Sequence, residues 1–166
     1  MTAEEVITLL QLEPLPLEGG FFRETYRSRS ELSGPGVTSS YEGSRSLATA
    51  IYYLITPDNF SALHRLRGAE IFHFYCGDPV IMLQLLPDGS SRMVTLGIDL
   101  RCSQQPQVVV AGGIWQGCRL APRGAWALLG TTMSPGFDPR DYEPGMRDRL
   151  IAAYPGAASE IREFTR

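Results

Sequence analysis

The chain contains no lysine: all of its 15 basic residues are arginine. These arginines are scattered from Arg23 to Arg166 and form no basic stripe, and the formal net charge is -3. The electrostatic footprint of a nucleic-acid binder is therefore missing. No run of 18 apolar residues exists, so no transmembrane helix is expected. The N-terminal stretch MTAEEVITLLQLE is acidic and lacks the basic start of a signal peptide, so a cytoplasmic location is expected. Cysteine is sparse. Cys76, Cys102 and Cys118 are odd in number, widely spaced and form no CxxC, which excludes a thioredoxin-like motif and a zinc knuckle and leaves free thiols. Histidine is rarer still, with only His64 and His73.

What is present suits a globular protein. The 166 residues are 43% hydrophobic and show no internal repeat, low-complexity tract or linker, so one domain spanning 1–166 is expected. Thr2 and Glu5 make a capping box ahead of Val6, Leu9 and Leu10, predicting an N-terminal helix of about three turns that Pro14 and Pro16 end. Strands are predicted at Phe21–Ser28, Ser46–Thr56, Phe60–Leu66, Glu70–Gly77, Val80–Leu86, Arg92–Leu96, Gln107–Val110, Ile114–Leu120 and Ala125–Met133. Pro87-Asp88-Gly89 marks a hairpin, and Ile114–Leu120 with Ala125–Met133 reads as a last strand pair. Ser30–Ser44, rich in glycine and serine, reads as a loop. Met146–Tyr154 and Ala157–Phe164 carry helical patterns. Many short strands with helices only at the ends predict an all-β sandwich or barrel.

The chain centres on FSALHRLRGAEIFHFYCG, from Phe60 to Gly77. Strict alternation puts Phe60, Ala62, His64 and Leu66 on one face of the first strand and Glu70, Phe72 and Phe74 on one face of the second. An imidazole and a carboxylate thus share the face that should enter the core. A buried charge without a partner is costly, so these two either satisfy each other or form a site. His73 has the opposite parity to Glu70 and should look outward, in a structural or interface role. Tyr52 and Tyr53 lie on opposite faces of their strand, so one faces in.

Two motifs then resemble a known family. His64-x-Leu66, Glu70 and Gly77 resemble the first cupin motif, and Ala111-x-Gly113-x-x-Gln116 resembles the second. Further stretches, GGFFRETYRS, TAIYYLI, ALHRL, EIFHFYCGDP, GIWQG and SPGFDPRDYE, are similar to a subfamily of small cupins over nearly the whole chain. The resemblance implies an all-β, double-stranded β-helix (jelly roll), RmlC-like, closed into a β-barrel, with short N- and C-terminal helices. It also implies a homodimer. In metal-binding cupins three histidines and a glutamate hold the ion; here Leu66 and Gln116 stand at two histidine positions. No metal centre is therefore expected, and a divalent metal at His64, Glu70 and Gln116 is the alternative.

The expected function is binding of a small molecule, with no nucleic acid or membrane as partner. Its enzymatic form is a metal-independent sugar epimerase or isomerase. In that reading His64 and Glu70 are catalytic, with Glu70 accepting a hydrogen bond from His64. Gln116 orients a carbonyl or hydroxyl, and Phe72, Phe74 and Trp115 form an apolar wall. Tyr53 and Arg23 are further candidate ligand-binding residues. The alternatives are a non-catalytic ligand-binding or storage-like module and a metal-dependent cupin oxygenase. Asp138 and Asp141 are read as loop-ordering residues.

Overall fold

The N-terminal capping box forms in the computed structural model, which describes residues 1–33, 41 and 43–166. The Glu5 side chain accepts from the Thr2 N–H at 2.7 Å, and Thr2 Oγ1 accepts from the Glu5 N–H at 3.3 Å. Helix α1 (Ala3–Leu10) has about two turns rather than three. It stops at Gln11, whose left-handed backbone (φ 52°) turns the chain before the prolines are reached.

Thirteen strands follow among the described residues: β1 (Glu13–Pro14), β2 (Phe21–Arg27), β3 (Glu31–Leu32), β4 (Arg45–Ser46), β5 (Thr49–Ile55), β6 (Ser61–Leu66), β7 (Glu70–Gly77), β8 (Val80–Leu85), β9 (Ser91–Leu96), β10 (Gln107–Val110), β11 (Trp115–Leu120), β12 (Ala127–Met133) and β13 (Tyr142–Pro144). Helices α2 (Arg147–Ala153) and α3 (Ala158–Glu163) close the chain. Residues 34–40 and 42 of the expected Ser30–Ser44 loop lie outside the described residues; beside them β3 pairs with β4.

The strands form a six-stranded antiparallel sheet, β1-β2-β5-β12-β7-β10, and a five-stranded one, β13-β6-β11-β8-β9. This is the all-β jelly roll with short terminal helices that the resemblance implies. One expectation is corrected: the roll is not closed into a barrel, since each sheet keeps two edge strands. The reason is visible at the corners. Consecutive strands β6 and β7 lie in different sheets, and so do β11 and β12, which are not the hairpin pair expected of them. The chain crosses between sheets where a hairpin would have stayed in one. Only β8 and β9, joined by Pro87-Asp88-Gly89, pair as the hairpin the sequence predicts.

Three apolar clusters hold the layers. Between the sheets lie Tyr53, Ile55, Phe72, Phe74, Met82 and Leu129 among others. On the far side of the five-stranded sheet, Leu63, Leu83 and Leu85 pack against Leu150, Ile161 and Phe164 from the C-terminal helices. On the far side of the other sheet, Leu54 meets Val6 of α1 and the following Leu12. Central strands are thus covered on both faces, which is why IYYLI and VIMLQL read as apolar runs rather than as an alternation. Within each strand parity still decides the destination: Leu54 goes to α1 while Tyr53 and Ile55 go between the sheets.

Candidate functional site

The corner between β6 and β7 positions the site. Because those strands belong to opposing sheets, the inward faces carrying His64 and Glu70 look toward one another across the inter-sheet space. Both side chains are buried, as is Gln116 on β11, the cross-strand neighbour of His64. Alternation therefore faced His64 and Glu70 inward correctly, while Gln116 was singled out by the motif resemblance.

Their contacts differ from the expected pair. His64 Nδ1 lies 2.9 Å from the Ala62 carbonyl oxygen. A carbonyl only accepts, so Nδ1 carries a proton and Nε2 is the nitrogen that faces the cluster. Glu70 accepts from Gln116 Nε2 at 2.6 Å, not from His64. The same amide nitrogen lies 3.5 Å from His64 Nε2. Gln116 is thus wedged between imidazole and carboxylate. Its Oε1 is buried without a hydrogen-bond partner among the described residues.

The residue that sequence reasoning missed is Glu18. Its carboxylate accepts from Ser61 Oγ at 2.8 Å and reaches within 3.8 Å of His64 Nε2. The loop that presents it is tightly built. Leu17 adopts φ 70°, Gly19 φ 99° and Gly20 φ 78°. A Cβ on Gly20 would sit 2.6 Å from the Tyr53 ring, and one on Gly19 would collide with the Phe60 carbonyl. Only glycine allows this approach. Tyr53 Oη donates to the Gly19 carbonyl at 2.8 Å, and the Ala62 N–H donates to the Glu18 carbonyl at 2.8 Å. No periodicity orients a loop side chain, so the only sequence signal was the Gly-Gly pair beside an acidic residue. Tyr142 was also missed: its ring stacks on His64 with centroids 5.1 Å apart. It sits on the three-residue strand β13, too short for a pattern.

The two carboxylates share an environment. Burial first, and the charge of Glu18 second, push the Glu70 carboxyl up to about 7, against the opposing pull of His64, the Thr131 hydroxyl and the Gln116 amide. Burial likewise raises the Tyr53 phenol and the Cys118 thiol well above their ordinary values, so both are neutral here.

Glu18, Glu24, Glu70, Thr49 and Thr131 form the polar lining of a cavity of about 70 Å³ between the sheets. Its apolar walls are Leu15, Phe22, Ile51, Leu66, Met133 and Phe137. His64 and Gln116 are not on its wall, and Phe72 and Phe74 belong to the inter-sheet core. Tyr53 points inward but is tied to Gly19. Trp115 is not brought to the site. It packs with the C-terminal helix cluster, 4.7 Å beneath the Arg65 guanidinium. Strand parity requires this once Gln116 faces in. Arg23 also faces away, over the Tyr52 ring at 5.5 Å. His73 bonds Thr132 and Gln107 across neighbouring strands, on the face opposite Glu70. Asp138 caps a short 3-10 turn, and Asp141 pairs with Arg45.

The donor set does not fit the metal centre of three histidines and one glutamate. Leu66 has no donor atom and lines the cavity with carbon, and the Gln116 amide nitrogen is directed at Glu70. Among the described residues no group of three or more His, Cys, Asp or Glu side chains is placed to hold an ion.

Comparison with known proteins agrees with this architecture. The sequence model described as "Cupin superfamily (DUF985)" matches residues 4–144. The Saccharomyces cerevisiae protein "Uncharacterized protein YML079W" is 30% identical over 133 residues, 75% of this chain; the match spans 66% of the yeast protein. A solved structure from Leishmania major, titled a hypothetical protein, superposes with TM-score 0.89 at 30% identity, covering 99% of both chains. Protein SO0799 from Shewanella oneidensis superposes with TM-score 0.88 at 30% identity, covering 100% of this chain and 98% of that one. Oxalate decarboxylase from Bacillus subtilis is similar in fold alone, at TM-score 0.56 and 13% identity, covering 93% of this chain and 37% of the decarboxylase. The motifs, the jelly roll and the family match together place the chain in the cupin superfamily, in the DUF985 family.

Proposed function

We propose that the inter-sheet cavity binds a small organic molecule and that Glu70 moves a proton to or from it without a metal, as an isomerase or epimerase would. The observation that carries this reading is the gathering of Glu18, Glu24 and Glu70 on one small, mostly apolar cavity, with burial and the charge of Glu18 pushing the Glu70 carboxyl up to about 7. A carboxyl raised toward neutral pH can both take and return a proton. Glu70 touches the ligand. Glu18 and His64 set its charge, and Gln116 fixes its orientation. The sequence-based roles are therefore redistributed: the group facing the ligand is the carboxylate, and the imidazole acts from behind it.

Identification of any small molecule released on denaturing the purified protein, followed by incubation of that molecule with protein in D₂O, tests the proposal. Deuterium at a carbon next to a carbonyl, lost in Glu70→Gln, is expected. Binding without incorporation would instead favour a non-catalytic ligand-binding module. The homodimer implied by the family resemblance belongs to the same proposal. It is supported by Val109 and Tyr75, 55% and 49% exposed on the outside of the six-stranded sheet, and light scattering checks it.

A further inference from the structure

The polar groups around the cavity are unevenly matched. Four donors of the cluster are already used within the protein. Ser61 Oγ donates to Glu18, Tyr53 Oη to Gly19, His64 Nδ1 to Ala62 and Gln116 Nε2 to Glu70. What remains on the wall is mainly acceptors: the spare carboxylate lone pairs of Glu18 and Glu70, and Glu24, which is already paired with Arg27. Among the described residues no arginine or histidine lines the cavity. Arg27, nearby in β2, is held by Glu24 at 2.6 and 2.9 Å and by the Phe137 carbonyl at 3.1 Å. Arg166 spends its guanidinium on the main-chain carbonyls of Leu17, Glu18 and Phe60.

An anionic ligand would meet three carboxylates, Glu18, Glu24 and Glu70, and among the described lining side chains only the hydroxyls of Thr49 and Thr131 could donate to it, the latter already turned to Glu70. A ligand that brings its own donors and a positive charge would pair with the Glu18 and Glu70 carboxylates and relieve the repulsion between them. We infer that the ligand is a small organic amine, bound as its ammonium between Glu18 and Glu70 with its carbon skeleton against Leu15, Phe22, Ile51 and Met133. A bare metal cation would leave those apolar walls unused. The cavity, about 70 Å³, takes a skeleton of only a few carbons. This inference rests on the reading of the cavity as a ligand site and narrows what that site accepts.

Three probes of one skeleton test it: n-butylammonium, 1-butanol and butyrate, titrated into the intact protein at pH 8 and constant ionic strength by NMR and calorimetry. Butylammonium should bind at least about tenfold more tightly than butanol, and butyrate should not bind. Glu18→Gln should lower the affinity for butylammonium about tenfold and leave that for butanol unchanged. If that variant fails to fold, the three-probe comparison on the wild type decides alone. Equal or tighter binding of butanol or butyrate would overturn the inference, as would binding of none of the three. The two proposals fail separately. Deuterium exchange into a neutral polyol with no preference for amines removes the amine and keeps proton transfer. Selective amine binding without exchange into any bound ligand does the reverse.

Discussion

Asp141 and Glu70 are carboxylates buried to nearly the same degree, 6% and 8% exposed, yet they keep opposite company. Asp141 receives a two-pronged guanidinium: Arg45 Nε at 2.7 Å and Nη2 at 2.9 Å, with both side chains almost fully enclosed. Glu70 receives an amide and a hydroxyl and faces a second carboxylate. The first arrangement fastens the chain near β4 to the segment leading into β13, 96 residues apart. The second leaves a charge incompletely compensated beside a hollow. Within one fold, full compensation ties two distant segments together, and partial compensation leaves a carboxyl whose proton affinity is raised.

Substitutions on either side of this contrast should behave differently. Arg45→Ala leaves the Asp141 carboxylate buried and poorly paired, with the Arg67 guanidinium 3.8 Å away. Thermal and denaturant unfolding should show a loss of roughly 4 kcal/mol. The double replacement Arg45→Met with Asp141→Leu should recover most of it, because no buried charge then remains.

Glu70→Gln should do the opposite above neutral pH. The folded state holds the Glu70 proton up to about 7, whereas the ordinary value is 4.5. Between those limits the folded state binds more protons than the unfolded one, so stability falls as pH rises. The ionised carboxylate therefore lowers stability at pH 8 by up to roughly 3 kcal/mol. Glutamine keeps the acceptor for Gln116 and removes the charge. The stability difference between variant and wild type should grow from pH 4.5 to pH 7 and then level off. A difference independent of pH would contradict the assignment.

The smallest effect is expected at Arg23. Arg23→Ala removes an exposed contact with Tyr52 and a 3.5 Å bond to Gln11. It should change unfolding free energy by no more than about 0.5 kcal/mol and leave ligand exchange intact. A loss of exchange would bring Arg23 back to the site.

These contrasts also show what the residues alone could reveal. Alternation faced His64 and Glu70 inward because a strand has only two sides; Gln116 came from the motif resemblance, and once it faces in, the same rule sends Trp115 outward as its neighbour. Alternation does not say which sheet a strand joins. The His64–Glu70 hydrogen bond was therefore expected, where the crossing between sheets inserts Gln116 instead. It also has nothing to offer for Glu18, whose orientation comes from positive φ angles in a proline- and glycine-rich turn. Closure into a barrel was expected from the family resemblance, and it fails because edge strands stay unpaired across the two sheets. Corner and loop geometry, set by tertiary contacts, thus carried what periodicity could not.

The central claim is that Glu70 is held near neutrality by burial and by the charge of Glu18. A pH titration of the Glu70 side-chain carboxyl by ¹³C NMR, in wild type and in Glu18→Gln, tests it directly. The wild-type midpoint should lie near 7 and move down when Glu18 loses its charge. A wild-type midpoint near the ordinary 4.5, or one that ignores the substitution at Glu18, would contradict it.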